Sequence, residues 1–158
     1  MIRTAETKDT YPLAEMGAFM HMESDYRHFS YDVHKVARFI QILLETERGI
    51  VLVAENSEGE MVGGFIGEVA PTFYGDDLMG IDYSLFVLPE HRGGTYGFRL
   101  VKEFTERAIM MGAVHITSGT STGVMPETTS RLYKKMGFTE LGKLFHLNVL
   151  KLGGEVWD

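Results

Sequence analysis

One stretch constrains this chain more than any other: Ser84-Leu85-Phe86-Val87-Leu88-Pro89-Glu90-His91-Arg92-Gly93-Gly94-Thr95-Tyr96-Gly97. An apolar run of strand character stops at a proline, passes through a glycine-rich turn and continues with helical spacing. After the turn, Leu100, Val101, Phe104, Ala108 and Met111 recur every three or four residues, which puts them on one helix face. At such a junction the first helical amides have no internal partner, and the helix dipole favours an anion. Glycines there remove Cβ atoms and let an anion approach the main chain closely. The same composition also suits an ordinary strand-to-helix turn, and the residues of the loop leave both readings open.

The rest of the chain supplies the surroundings. Ile2 to Ala5 reads as a short strand. Asp9 or Thr10 then caps a helix to about Met22, with Leu13, Met16, Gly17 and Met20 on one face. Asp32 caps a second helix carrying Val36, Phe39, Ile40, Leu43 and Leu44. Ile50 to Ala54, the turn Asn56-Ser57-Glu58-Gly59 and Met61 to Val69 form a hairpin, and Leu78 to Leu88 is its third antiparallel strand. The long helix runs from Gly94 to Met111, followed by a strand His115 to Thr120, a helix Thr128 to Met136 and a closing strand Leu144 to Leu150. The expectation is one α/β (α+β) domain over residues 1–158: a mixed, mostly antiparallel sheet of about six to seven strands flanked by about four helices.

Composition removes several function classes. There is no cysteine, so a cysteine nucleophile, a thiolate metal site and a disulfide framework are excluded, and a reducing, cytoplasmic setting is the expectation. No apolar run reaches the roughly 20 residues needed to cross a bilayer. Fifteen Lys and Arg against 22 Asp and Glu leave a net charge of −7, which repels nucleic-acid phosphates and favours a cationic partner such as an amine. The six histidines show no metal-ligand spacing, so no metal is expected.

Val87, Pro89, Glu90, Arg92, Gly93 and Gly97 resemble the cofactor motif of the GNAT superfamily of acyl-CoA N-acetyltransferases, (Gln or Arg)-x-x-Gly-x-(Gly or Ala) preceded by Val-x-Pro-Glu. Thr95 stands where a glycine is usual, with Gly94 just before it. Downstream, Leu132-Tyr133-Lys134-Lys135-Met136-Gly137-Phe138 is similar to the family's LYxKxGF element. The resemblance covers most of the chain from Ile50 to Leu150.

That resemblance implies an acyl-CoA-dependent N-acetyltransferase: direct attack of a neutral amine, of a small molecule or a protein, on the thioester of acetyl-CoA through a tetrahedral intermediate. It implies that Leu85, Phe86 and Val87 pair with the pantetheine arm, that the amides from Gly93 through Gly94, Thr95, Tyr96 and Gly97 to Phe98 hold the pyrophosphate, and that Arg92 shapes the loop. Tyr133 matches the tyrosine that protonates the departing thiolate, although a packing tyrosine would occupy the same helix position. A position that carries a glutamate base in some relatives is Ile81 here. Asp82, placed by strand alternation on one face with Ser84, is then a base, a substrate anchor or an exposed carboxylate, and Glu68 is a further candidate. Glu23 and Tyr26, in the polar and aromatic segment after the first helix, are candidates for holding the amine; a solvated loop with docked rings has the same composition.

Two other readings stay beside the enzyme. A GNAT-like module that binds acyl-CoA without turnover fits the missing glutamate. A nucleic-acid-base modifying acyltransferase of phage type is a third, against which the acidic charge counts. By analogy with dimeric relatives, residues 144–158 are expected at a homodimer interface. Gly119-Thr120-Ser121-Thr122-Gly123 matches the nucleophile elbow of serine hydrolases, but too little chain follows for that fold. These small residues suit room for a pantetheine instead.

Overall fold

A computed structural model describes residues 1–147. Its described elements are five strands, β1 (Ile2–Thr4), β2 (Gly49–Glu55), β3 (Met61–Pro71), β4 (Leu78–Val87) and β5 (His115–Thr117), and four helices, α1 (Thr10–Glu23), α2 (Val33–Glu45), α3 (Tyr96–Met110) and α4 (Pro126–Lys135). The strands form one sheet in the order β1-β2-β3-β4-β5, antiparallel except for the parallel β4–β5 pair. Five strands stand among the described residues, against the six or seven expected. Residues 144–147 form no strand, and Asn148 to Leu150 lie outside the described residues. So does most of the stretch expected to form a dimer interface.

β2 reads as a continuous apolar run because both of its faces are covered. Ile50, Leu52 and Ala54 pack toward α3 with Phe65, Val69, Leu100, Val101 and Phe104. Val51 and Val53 pack on the other side with Leu13 and Ala14 of α1, and with Ala37, Ile40 and Leu43 of α2. Phe65 and Phe104 stack at 4.2 Å between ring centres, and a Cβ at Gly67 would lie 2.6 Å from the Phe104 ring, so only glycine fits beneath α3 at that position.

The helix starts follow local chemistry with one departure. The Asp32 carboxylate accepts the Lys35 amide at 3.0 Å, as a cap should. Asp9, in contrast, does not cap α1. Its carboxylate turns back to accept the Glu6 amide at 2.7 Å and two Arg3 guanidinium bonds at 2.7 and 3.0 Å, tying α1 to β1.

A bulge in β4 corrects the strand-phase expectation. Ile66 pairs with Ser84 and Gly67 with Asp82, so Tyr83 is the extra residue. Asp82 and Ser84 therefore do not share a face. Asp82 stands on the α3 side opposite Gly67, and Ser84 on the α1–α2 side opposite Ile66. Tyr83 itself turns toward α2, where its ring meets Phe39 edge-on at 5.0 Å and its hydroxyl donates to Glu68.

Candidate active site

The site arises where two strands part. β5 pairs with β4 only from Met79↔His115 to Ile81↔Thr117, while β4 continues to Val87. Beyond Ile81 the β5 side of β4 has no strand partner among the described residues, and a cavity of about 460 Å³ opens there. Its walls come mainly from β4 between Asp82 and Val87, the glycine turn, residues 119–122 after β5, and α4, with Met20 of α1 and Phe98 of α3 adding to them.

The glycine turn is built for close approach. Gly93 has φ +80°, a left-handed conformation that suits glycine. At Gly94 a Cβ would meet nothing nearer than 3.9 Å, so that side of the turn is open toward the cavity. Arg92 fastens the turn from both ends. Its Nε donates to the Val87 carbonyl at 2.8 Å, and its Nη2 donates to the Glu23 carboxylate at 2.6 Å. The carboxylate at the last residue of α1, unfavourable there against the helix dipole, thus gains a cation.

Of the ten expected cofactor residues, Leu85, Phe86, Val87, Arg92, Gly93, Gly94, Gly97 and Phe98 line the cavity; Thr95 and Tyr96 do not. Thr95 turns the chain into α3, and the Tyr96 ring packs against the core beneath that helix. The Phe86 side chain is buried in the α1–α2 core, so β4 offers the cavity mainly main chain at that point.

Asp82 and Tyr133, far apart in sequence, both face this cavity. The Asp82 carboxylate accepts the Ser118 hydroxyl at 2.9 Å and the Gly119 amide at 3.3 Å. Burial holds its proton affinity above the ordinary carboxylate value, and those two donors moderate the rise. Tyr133 is 6% exposed and packs against Phe138 at 5.3 Å. Burial pushes its phenol up to about 12; the Asp82 charge adds to the rise, and the nearby Ser118 hydroxyl tempers it. The Ser118 proton, however, is given to Asp82, and the Tyr133 hydroxyl is left without a hydrogen-bond partner among the described residues. A buried phenol with nothing to bond to is costly unless a ligand supplies the partner.

Glu23 and Tyr26 do not line the cavity. Glu23 is engaged with Arg92, and Tyr26 stacks on Phe29 at 6.0 Å in a cluster that includes His28 and His146. The loop that carries them is tied to the cavity wall all the same, because the Asp25 amide donates to the Thr122 carbonyl at 2.8 Å. Glu68 is likewise outside the cavity wall, bonded to Tyr83.

Three participants escape sequence reading. Arg131 and Lys135 line the cavity together with Thr128, and with Arg92 they give it a cationic wall in a chain of net charge −7. Their spacing of three and four residues puts them on one face of α4, a signal the sequence does carry. Ser118 leaves no such signal, because its partner Asp82 is 36 residues away. Residues 119–122 do line the cavity, and Ser121 stands in a turn with α4 beginning only at Pro126, which is not a nucleophile elbow. Among the described residues no group of three His, Asp or Glu side chains is arranged to hold a metal ion, and no helix is long and apolar enough to cross a membrane.

A sheet splayed at a glycine turn, with a tyrosine-bearing helix closing the gap, defines an acyltransferase-type fold, and comparison with known proteins bears this out. The family model for the acetyltransferase (GNAT) domain matches residues 47–140, and the chain belongs to that family. No curated protein matches the chain in sequence. Among solved structures, it is similar to a predicted acetyltransferase with acetyl-CoA from Clostridium acetobutylicum, at TM-score 0.75 and 17% identity over 96% of this chain and 97% of that one. An aminoglycoside acetyltransferase from an uncultured soil metagenomic sample superposes at TM-score 0.69 with 22% identity, covering 94% and 97% of the two chains. An aminoglycoside 6'-N-acetyltransferase from Acinetobacter haemolyticus gives 0.70 at 14% identity, over 94% and 97%.

Proposed function

We propose that this chain transfers an acetyl group from acetyl-CoA to a primary amine of a small molecule, with Tyr133 as proton donor and Asp82 as proton acceptor. The observation that carries this reading is the buried Tyr133 phenol, which faces the cavity with no partner of its own among the described residues. The cavity also fits the cosubstrate at its other end. Gly93 and Gly94 present an open turn, and Arg92, Arg131 and Lys135 supply positive charge for its phosphates. Acetyl-CoA supplies an acyl group already activated as a thioester.

The protein's own part is to hold and move protons. Main chain of Leu85 to Val87 on the free side of β4 aligns the pantetheine arm. The Tyr133 proton, retained at every physiological pH because its pKa stands at about 12, is available to the departing sulfur. Asp82, half-buried beside Ser118, takes the proton the amine must lose. A small-molecule acceptor is preferred because similar folds include two aminoglycoside acetyltransferases, and the acidic net charge draws in cationic amines.

Calorimetric titration of acetyl-CoA and CoA into the wild type and Gly94→Glu tests the reading. No atom crowds the new Cβ, so the variant folds, while its carboxylate occupies and repels the phosphate position. Binding by the wild type and its loss in the variant are expected, followed by thiol release with an amine panel. A wild type that binds neither ligand refutes the proposal. Binding without turnover on any amine would instead favour a CoA-binding module.

A further inference from the structure

The bulge in β4 exposes a group of side chains that the reaction above does not use. As the extra residue of the strand, Tyr83 escapes its alternation and turns to the α1–α2 side of the sheet. The main cavity reaches that side as well, since Met20 of α1, Tyr83 and Ser84 belong to its wall. There the Tyr83 ring meets Phe39 of α2 with ring centres 5.0 Å apart and planes at 86°, so the two rings form a corner. Both remain open to solvent, at 48% and 39% exposure. The Tyr83 hydroxyl donates to Oε1 of Glu68, a partly buried carboxylate on β3 opposite Ile81.

Two aromatic walls with a carboxylate at one end suit an organic cation, which the ring faces attract and the carboxylate neutralises. The Glu68 carboxylate has a phenol as its partner, and no ion pair occupies it among the described residues. The nearest competitor is Arg48, which precedes Gly49, the residue paired with Glu68 across the sheet, and lies close enough to act on the Tyr83 phenol. The way from Asp82 to this corner is also open. β4 has no strand partner on its β5 side beyond Ile81 among the described residues, so a flexible chain passes that edge from one face of β4 to the other.

We propose that the Tyr83–Phe39 corner with Glu68 is an acceptor subsite, holding a second ammonium group of a di- or polyamine while another of its amino groups reacts beside Asp82. The inference rests on the acetyl transfer assigned above and names its acceptor class: an amine with at least two cationic nitrogens. A monoamine of the same length leaves the corner empty and forgoes both the ring contact and the carboxylate.

A panel of diamines, each paired with the monoamine of equal length (hexamethylenediamine with hexylamine among them), tests the subsite by thiol release at saturating acetyl-CoA. kcat/KM should favour the diamines by roughly ten-fold, mainly through KM. Glu68→Gln should cut that preference to about two-fold. Arg48→Ala, which removes an exposed competing cation, should enlarge it. Opposite effects from removing one charge of each sign do not arise from the loss of a structural contact. Independently of turnover, hexamethylenediamine added to the CoA-loaded protein should shift the Tyr83 ring resonances in NMR spectra, and the shift should shrink in Glu68→Gln. No preference for diamines, a preference that survives Glu68→Gln, or an unmoved Tyr83 ring overturns the subsite and leaves acetyl transfer standing. Failure of the transfer reading looks different: no amine of either kind releases thiol, while the ring shift still reports a bound cation.

Discussion

Replacing Tyr133 by phenylalanine should move activity and stability in opposite directions. The substitution removes one oxygen and keeps the ring against Phe138 and the α3-side core. That oxygen is buried and has no partner among the described residues, so its desolvation penalty, about 1–3 kcal/mol, is released in the variant. At roughly 3 °C per kcal/mol for a chain of 158 residues, Tm should rise by about 3–9 °C. The same change deletes the proposed proton donor, and loss of a general acid slows the chemical step by roughly 10²–10⁴-fold. Thermal melts of the ligand-free protein read the first effect. A colorimetric thiol assay reads the second, and it does so without background because the chain has no cysteine of its own. A fall in Tm with unchanged kcat would refute the reasoning, since the hydroxyl would then be a structural hydrogen bonder and not a poised acid.

The remaining predictions concern charge. Asp82 is held above the ordinary carboxylate value, so the folded state binds its proton more tightly than the unfolded chain does, and stability falls as pH rises through the folded value. Asp82→Asn removes that dependence. The variant should gain stability relative to wild type between about pH 4 and neutrality, and kcat/KM should lose its acidic limb; parallel pH–Tm curves for the two proteins would count against a buried carboxylate. Glu23→Gln breaks a partly exposed ion pair, so Tm should change by less than about 1 kcal/mol equivalent, while the KM for acetyl-CoA rises several-fold as Arg92 loses one anchor. A KM change confined to the amine would return Glu23 to the acceptor site.

Short-range signals are legible in the chain alone. The Asp32 cap, the Asn56–Gly59 turn and the inward face of α3 depend on residues at most four or five apart, and all three stand where the sequence puts them. The glycine turn and the tyrosine helix are legible as motifs, and both line one cavity. Thr95 and Tyr96 belong to the same motif, but a run of consecutive residues on a turn cannot all face one way.

The alternation that groups Asp82 with Ser84 fails because an extra residue in β4 leaves no mark in that strand's own sequence. Its cause lies across the sheet, in the pairing with Ile66 and Gly67. Ser118 and Asp82 meet over 36 positions and Glu23 and Arg92 over 69, through the order of strands in the sheet and the end of α1. Periodicity and turn chemistry are local, so the order of residues suffices to say which segments are strand or helix, where a glycine-rich turn sits, and which tyrosine stands on the helix after the fifth strand. Folding alone settles that β5 leaves β4 after three pairs, that the gap becomes a cavity, and that a carboxylate and an unpartnered phenol face it. Those contacts depend on neighbours brought together across the sheet, which no window of the chain contains.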